Sequence, residues 1–511
     1  MTPTLLGLTV VASPRAAKRA VKTEGDPFRV GGLMITQEKL FIGGEFVAPA
    51  GREQITVICP ATEEVVGTVP AGTADDIDRA VAAARDAFDN GPWPRMDPEE
   101  RRRIILAAGE ILKPQADELS RLVVAQNGTP IRLQPGDMSS CFEYFGNLPL
   151  PDTIFREAAP GDAALVVREP RGVVGCIVPW NVPVILELGK TLPALLAGNT
   201  VVVKPSPETP LHDYAIAEAF AKAGLPPGVL NIVAAQREEA ERLVRHPGVD
   251  MISFTGSTAA GRRIGAICGE HVKHVVLELG GKSAAIVLDD ADLATAAPQM
   301  LHMGALLNNG EACAAWTRIL VPRQRHDEIV DALVGVLSQV TVGDPLQTST
   351  DVGPLVSSRQ RDRVEGYIAS GLDEGAKIVF GGGRPAGLDR GWYVEPTLFV
   401  GAHNAMRIAR EEIFGPVALV IPYDDEDEAV RIANDSDYGL AGAVYTSDPQ
   451  RGVAVAGRMR TGTVAVNCLG MAHAYPFGGY KDSGVGRCHG PEGFMEFFEI
   501  KTIGLPAGYQ P

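Results

Sequence analysis

Between Gly172 and Phe254 the chain alternates short apolar runs with longer amphipathic ones, and this alternation restricts the fold more than any other feature. Residues 173–178, 200–203, 229–233 and 251–254 are almost wholly apolar, with no polar residue on every second position. Such runs read as strands covered on both faces. Residues 184–196, 212–223 and 238–245, which separate them, have helical length and periodicity. Strands alternating with helices predict a doubly wound α/β sheet of parallel strands. Ligands of such sheets bind beyond the carboxyl ends of the strands. Two loops fall there. One is Lys204-Pro205-Ser206-Pro207-Glu208; the other runs from Phe254 through Gly256 and Ser257 to Gly261, into a helix expected over 261–268. Glycine and serine at a helix N-terminus offer N–H groups and a positive dipole end to a phosphate. A simple helix cap uses the same residues, and the loop is not a GxGxxG fingerprint.

The flanks are legible in outline. Residues 40–47 read as a hairpin about Gly43-Gly44. Thr73 caps a helix, with Asp76 in the capping-box position and Ile77, Val81, Ala84 and Phe88 on one face. Further helices are expected over 99–112 and 116–125. The segment 164–167 is strand-like, and 494–503 ends in an alternating strand. A chain of 511 residues, 45% apolar, has ample core for several domains. Its net charge of −16 opposes binding to nucleic acid or to an anionic membrane. The run 172–186 is interrupted by Pro179, Asn181 and Pro183, so no transmembrane helix is expected. Seven widely spaced cysteines without a CxxC pair, and nine scattered histidines, read as reduced thiols in a cytoplasmic protein rather than a disulfide or zinc framework. Near the start, the apolar patch 5–12 precedes the basic residues Arg15, Lys18, Arg19 and Lys22, the reverse of a signal peptide. Residues 1–33 therefore read as a disordered extension, or as sequence upstream of a true start at Met34.

Two residues carry candidate chemistry. Cys313 ends the stretch Asn308-Asn309-Gly310-Glu311-Ala312-Cys313. It follows an apolar run (Met303, Ala305, Leu306, Leu307) that reads as a helix, and precedes a strand at 319–321. A lone cysteine is more often a small buried hydrophobe than a nucleophile, so its case rests on partners. Glu278 interrupts the apolar strand Val275-Val276-Leu277 just before Gly280-Gly281-Lys282. A carboxylate among Val and Leu is costly unless paired or functional. It is either a solvent-facing edge residue or a general base with a raised pKa.

Seven motifs in order give the chain a resemblance to the aldehyde dehydrogenase superfamily over about residues 38–503. They are Pro179-Trp180-Asn181, Lys204-Pro205-Ser206, Phe254-Thr255-Gly256-Ser257, Leu277-Glu278-Leu279-Gly280-Gly281-Lys282, Gly310-Glu311-Ala312-Cys313, Glu411-Glu412-Ile413-Phe414-Gly415-Pro416, and Pro476-Phe477-Gly478-Gly479-Tyr480-Lys481 with Ser483-Gly484. The resemblance implies oxidation of an aldehyde to a carboxylic acid with NAD or NADP. Cys313 is then the nucleophile, forming a thiohemiacetal and a thioester. The Asn181 amide and the Cys313 N–H stabilise the oxyanion, and Glu278 activates the water that hydrolyses the thioester. Glu278 speaks against the two alternatives, a coenzyme-A-acylating enzyme (or acyl-CoA reductase) on the same fold and a non-catalytic binding protein. Cofactor contacts fall to Pro179, Trp180, Lys204, Ser206, Pro207, Gly256, Ser257, Leu279, Gly280, Glu412 and Phe414. Lys204 and Glu412 would hold ribose hydroxyls, Ser257 the pyrophosphate, and Phe414 would pack near the nicotinamide ribose. No metal is required.

The same resemblance implies a Rossmann-like cofactor domain (34–147 and 171–281), an α/β catalytic domain (282–481) and a small β oligomerisation arm (148–170 and 482–511), hence a homodimer or homotetramer. Substrate contacts fall to Val182, Leu186, Gly189, Trp316, Leu469 and Phe477. Small residues at Val182 and Gly189, and no arginine between 467 and 476, point to a neutral, hydrophobic aldehyde. The chain departs from the commoner pattern at the adenosine end. Pro207, followed by Glu208, stands where an acidic residue usually binds the ribose hydroxyl, and Ala234-Ala235-Gln236-Arg237 replaces a Pro-Gly-x-Gly loop. NAD is expected, with NADP as the alternative.

Overall fold

Largely apolar strands can stack side by side only in a sheet covered on both faces, and the computed structural model builds that sheet. It describes residues 35–134, 138–159, 162–470, 474–507 and 509; the expected extension at 1–33 lies outside them. The spatial order of the sheet is Gly484–Val485, His274–Glu278, Met251–Thr255, Val173–Ile177, Thr200–Lys204, Leu230–Ile232, Leu40–Ile42, Glu45–Val47. The five central strands are parallel. The chain winds outward in one direction from Val173–Ile177, then returns to add Met251–Thr255 on its other side. The cleft between the carboxyl ends of these two strands is the topological switch point, where doubly wound sheets hold ligands. Pro179-Trp180-Asn181 leaves the first strand there and Gly256-Ser257 the second. Val174, Cys176, Val201 and Val203 pack into one core, while Val173, Ile177, Val202 and Ile252 pack into another on the opposite face.

The hairpin forms as its turn residues predict: Gly43 and Gly44 have φ of +67° and +86°, the left-handed pair that a two-residue hairpin needs. The capping box also forms. Thr73 Oγ1 accepts from the Asp76 N–H, and the Asp76 carboxylate accepts from the Thr73 N–H at 2.9 Å.

A second sheet of seven strands has the order Lys377–Phe380, Thr397–Val400, Val417–Tyr423, Arg318–Pro322, Ala284–Val287, Gly442–Tyr445, Ala465–Val466. Only its Lys377–Phe380 edge is antiparallel. Ala284 and Ile286 face one core and Ala285 and Val287 the other. The buried Arg318 side chain donates to the carbonyls of Lys282, Ile432 and Ala433, each at 2.9 Å, and to Asn404 Oδ1 at 2.8 Å. It thereby joins the Gly281-Lys282 turn to the far side of this sheet.

A separate three-stranded antiparallel sheet contains Ile154–Ala159, Asp162–Pro170 and Phe498–Leu505. These strands take up only part of the ranges 148–170 and 482–511. Gly484–Val485 pairs with His274–Glu278 in the large sheet, and the Gly490–Met495 helix packs on the Pro183–Ala197 helix. Two helices also differ from expectation. The run through Leu307 does not continue as one helix: Leu293–Met303 ends at Gly304, and a 3-10 turn covers Leu307–Gly310. The helix expected over 261–268 is Thr258–Glu270, so Ser257 is its N-cap rather than a loop residue before it. A small sheet of Ile35–Thr36, Val65–Pro70 and Gln54–Ile58 was not legible beforehand.

Candidate active site

Asn308-Asn309-Gly310 folds the way it does because three consecutive residues take the left-handed region, with φ of 51°, 61° and 74°. Asparagine tolerates that region better than other side chains, and glycine best. A Cβ on Gly310 would stand 2.1 Å from the Gly415 backbone, so only glycine fits. The two asparagine side chains then fasten the turn. Asn308 Nδ2 donates to the carbonyls of Asn181 (3.0 Å) and Glu311 (3.1 Å), and the Thr129 hydroxyl donates to Asn308 Oδ1. Asn309 Nδ2 donates to the carbonyls of Gly128 and Pro354, and its Oδ1 accepts from the Gly353 N–H at 2.7 Å. The buried Glu311 carboxylate accepts from the Val356 N–H. Cys313 leaves this fixed turn half-buried at a cavity wall.

Three segments meet at Gly280-Gly281. A Cβ on Gly281 would lie 2.4 Å from the Cys313 carbonyl, and one on Gly280 would lie 2.5 Å from the Glu412 carboxylate. The Glu412 carboxylate also accepts from the Gly281 N–H at 2.9 Å. Burial pushes the Cys313 thiol up to about 12, and the charges of Glu278 and Glu412 act in the same direction. A resting thiol of this kind is neutral and needs a base before it can attack.

Glu278 ends its strand 3% exposed, so it is no solvent-facing edge residue. Neither carboxylate oxygen has a hydrogen-bond partner. Burial raises it to about 8, against the opposing charges of Lys190 and Arg487. The Lys190 ammonium, itself buried, donates to Ser253 Oγ at 3.4 Å and lies 3.8 Å from Cys488 Sγ. Asn181 is buried at the cavity edge, with its Nδ2 donating to the Glu311 carbonyl at 2.9 Å. An amide nitrogen has two donors, so one N–H remains for the cavity.

The residues expected to hold a cofactor have the following surroundings. Lys204 ends its strand and is buried. Burial lowers it to about 8, against the charges of Glu208, Glu239 and Asp213. The Ser206 hydroxyl donates to Glu208 at 2.5 Å, across the turn that Pro207 begins. Ser257 Oγ accepts from the Ala260 N–H at 3.3 Å and caps the helix beyond Gly256. The Trp180 and Phe414 rings meet edge to face at 5.4 Å. Phe414 has φ of 62°, and its carbonyl accepts from Gln360 Nε2 at 2.6 Å. Leu279 differs from the rest: its side chain packs beneath the Thr258–Glu270 helix at Gly261, leaving only its backbone toward the cleft.

The cavity beside Cys313 has a volume of about 190 Å3. Val182, Leu186, Trp316 and Phe477 line it as expected, together with Asn181 and Cys313. Gly189 and Leu469 do not. The His489 ring packs on Gly189, 3.0 Å from where a Cβ would stand, and takes its place in the wall. Leu469, partly buried, packs against the core of the second sheet while the adjoining Gly470 lines the cavity. Met303, Leu307 and His489 were missed by sequence reasoning. His489 is held outward by a φ of 60°, which no residue pattern announces. No Asp, Glu, Lys or Arg lines the cavity among the described residues.

Comparison with known proteins gives a consistent result. A family model described as the aldehyde dehydrogenase family matches residues 46–503. A geranial dehydrogenase from Castellaniella defragrans is 47% identical over 480 residues, covering 93% of this chain and 100% of the relative. A 3-succinoylsemialdehyde-pyridine dehydrogenase from a Pseudomonas species is 42% identical, covering 91% and 98%. Among solved structures, a Mycobacterium tuberculosis aldehyde dehydrogenase complexed with NAD+ superposes with a TM-score of 0.91 at 47% identity, covering 94% of this chain and all of the other. A mutant aldehyde dehydrogenase C from Pseudomonas syringae, complexed with NAD+ and octanal, has a TM-score of 0.88 at 41% identity, covering 93% and 97%.

Proposed function

The chain belongs to the aldehyde dehydrogenase family, and from that membership we propose how its own residues divide the work. It is an NAD-dependent oxidoreductase that turns an aldehyde into a carboxylic acid. One observation carries the assignment of roles: Cys313 and Asn181 line one apolar cavity, and an unpaired, buried Glu278 behind its wall lies near enough for its charge to act on the Cys313 thiol.

Cys313 adds to the aldehyde carbon through sulfur, its thiol proton passing to the Glu278 carboxylate. The new oxyanion is received by the free Asn181 N–H and the Cys313 backbone N–H. The second Asn181 N–H, bound to the Glu311 carbonyl, keeps the amide plane fixed. NAD, when bound, accepts the hydride released as the thiohemiacetal collapses to the thioester. Glu278, its proton returned to solvent, then draws a proton from water. The resulting hydroxide attacks the thioester carbon, Cys313 departs as the thiolate, and the acid is released.

The cleft fits such a cofactor. The first turn of the Thr258–Glu270 helix, beyond Gly256 and Ser257, suits a pyrophosphate. Lys204 and Glu208 suit the adenosine ribose, and Glu412, set against Gly280, suits the nicotinamide ribose. Glu208 and Glu239 both act on Lys204, which favours a ribose diol over a 2′-phosphate and so NAD over NADP. Glu208→Gln should raise the NADP-to-NAD ratio of kcat/KM about tenfold, equivalent to ~1.4 kcal/mol. An unchanged ratio in side-by-side assays would remove Glu208 from cofactor choice.

The substrate is a neutral, hydrophobic aldehyde. The absence of ionised side chains from the described cavity wall supports this, as do the geranial and octanal named for two relatives. Assays of straight-chain aldehydes with NAD and without coenzyme A test it. kcat/KM should climb about fourfold with each added CH2, ~0.8 kcal/mol apiece, until the chain outgrows the cavity. A flat series, or preference for a carboxylated semialdehyde, would refute the substrate class. Acid formation only when coenzyme A is present would move the chain to the acylating branch.

We assign residues 34–147 and 171–281 to cofactor binding, 282–481 to catalysis, and the three-stranded arm to a homodimer or homotetramer. Ile154, Phe155, Ile500 and Ile503 on that arm are exposed, and exposed apolar strands call for a covering partner. A cytoplasmic setting accords with seven free cysteines. No helix among the described residues is long and apolar enough to cross a membrane.

A further inference from the structure

Away from the cavity, a second group of ionisable side chains is buried completely. Glu187 lies in the second turn of the Pro183–Ala197 helix, His212 is the N-cap of the Asp213–Lys222 helix, and Asp213 opens that helix. Each is 1% exposed. One donor atom from each lies within 4.8 Å of the other two, and His212 Nε2 stands 3.6 Å from Glu187 Oε2. The carboxylate oxygens and imidazole nitrogens have no hydrogen-bond partner while both carboxyls are ionised; a Glu187–Asp213 hydrogen bond forms only if one of the two holds a proton. Exposed acidic clusters are satisfied by bulk water; this one is buried, with two carboxyls and an imidazole close to one another. Burying unpaired ionised groups costs several kcal/mol each.

We propose that Glu187, His212 and Asp213 bind one divalent transition-metal ion, such as Zn2+, which clamps the two helices together. One imidazole nitrogen with two carboxylate oxygens is a donor set that suits Zn2+, Co2+ or Mn2+. A divalent ion neutralises both carboxylates and gives each residue a bond it otherwise lacks. The ion takes no part in aldehyde oxidation, since none of its ligands touches the cavity. Its role follows from position. The Glu187 helix begins two residues after Asn181, and His212 follows the Lys204–Glu208 loop by four, so the clamp ties the oxyanion donor to the ribose loop.

The test is metal content of the full chain, produced untagged in zinc-supplemented medium and purified without chelators. Wild type and Cys313→Ala are compared, so that the reactive thiol is excluded as the ligand. About one Zn2+ per chain is expected in both, falling below about one tenth in Glu187→Gln and Asp213→Asn. Co2+ loaded in its place should give the visible bands of nitrogen and oxygen ligands without thiolate charge transfer. No ion above background in wild type, or an ion retained in both carboxylate variants, would overturn the proposal in favour of a shared proton. Glu187→Gln preserves side-chain shape, and if neither variant folds, the wild-type content and the Co2+ spectrum still decide.

Discussion

Cys313→Ala should leave a folded, NAD-binding protein whose aldehyde oxidation falls by at least about 10^4-fold. The turn that presents Cys313 is held by Asn308, Asn309, Gly310 and Glu311, and none of those hydrogen bonds uses the sulfur. Stability and cofactor affinity should therefore change little, while the covalent route disappears. Cofactor reduction measured by absorbance, beside thermal melting and NAD titration, separates these quantities. Residual turnover above a few per cent of wild type would mean that hydride leaves without a thiohemiacetal, and would sink the nucleophile assignment. Loss of NAD binding together with turnover would show that the substitution had disturbed the fold instead.

Glu278→Gln should lower steady-state oxidation by about 10^2- to 10^4-fold, with the acyl group accumulating on Cys313 as a mass adduct. The pH dependence follows from the same burial. Glu278 is raised to about 8; below that value it is protonated and cannot accept a proton, and above it the carboxylate is ionised and active. The wild-type rate should rise through about pH 8, and that limb should vanish in the variant. A variant that keeps the wild-type limb would assign it to another group. Because Glu278 also takes the thiol proton, absence of an acyl adduct despite slow turnover would place the larger loss at thiol attack rather than at hydrolysis.

What the sequence disclosed, and what it withheld, divides along physical lines. Central strands such as 200–203 were legible because two-sided burial removes polar alternation, and Thr73 with Asp76 because a capping box is wholly local. Cys313, Glu278 and Asn181 were legible through motifs, although the shared cavity of Cys313 and Asn181, and the burial of Glu278 beside it, were not. The pocket wall was less accessible to sequence. Val182, Leu186 and Gly189 share a helix face, yet His489 arrives from three hundred residues away and covers the last of them. Leu469 and Gly470 exchange roles through one backbone turn. The helices over 184–196 and 212–223 were legible, but only their packing brings Glu187, His212 and Asp213 together. The helix expected to run through Leu307 failed because Gly304 and two left-handed asparagines break it.

The fastening of the Asn308–Glu311 turn also bears on how the molecule comes into being. Asn309 reaches back 181 residues to Gly128 and forward 45 to Pro354, and Asn308 reaches back 127 to Asn181. Contacts of such high contact order close late in folding, because loop entropy must be lost before they form. The nucleophile is thus presented only once three distant stretches of chain have docked. During refolding, helix and strand content should recover ahead of catalytic competence, and a chain stalled short of full docking would be structured but inert.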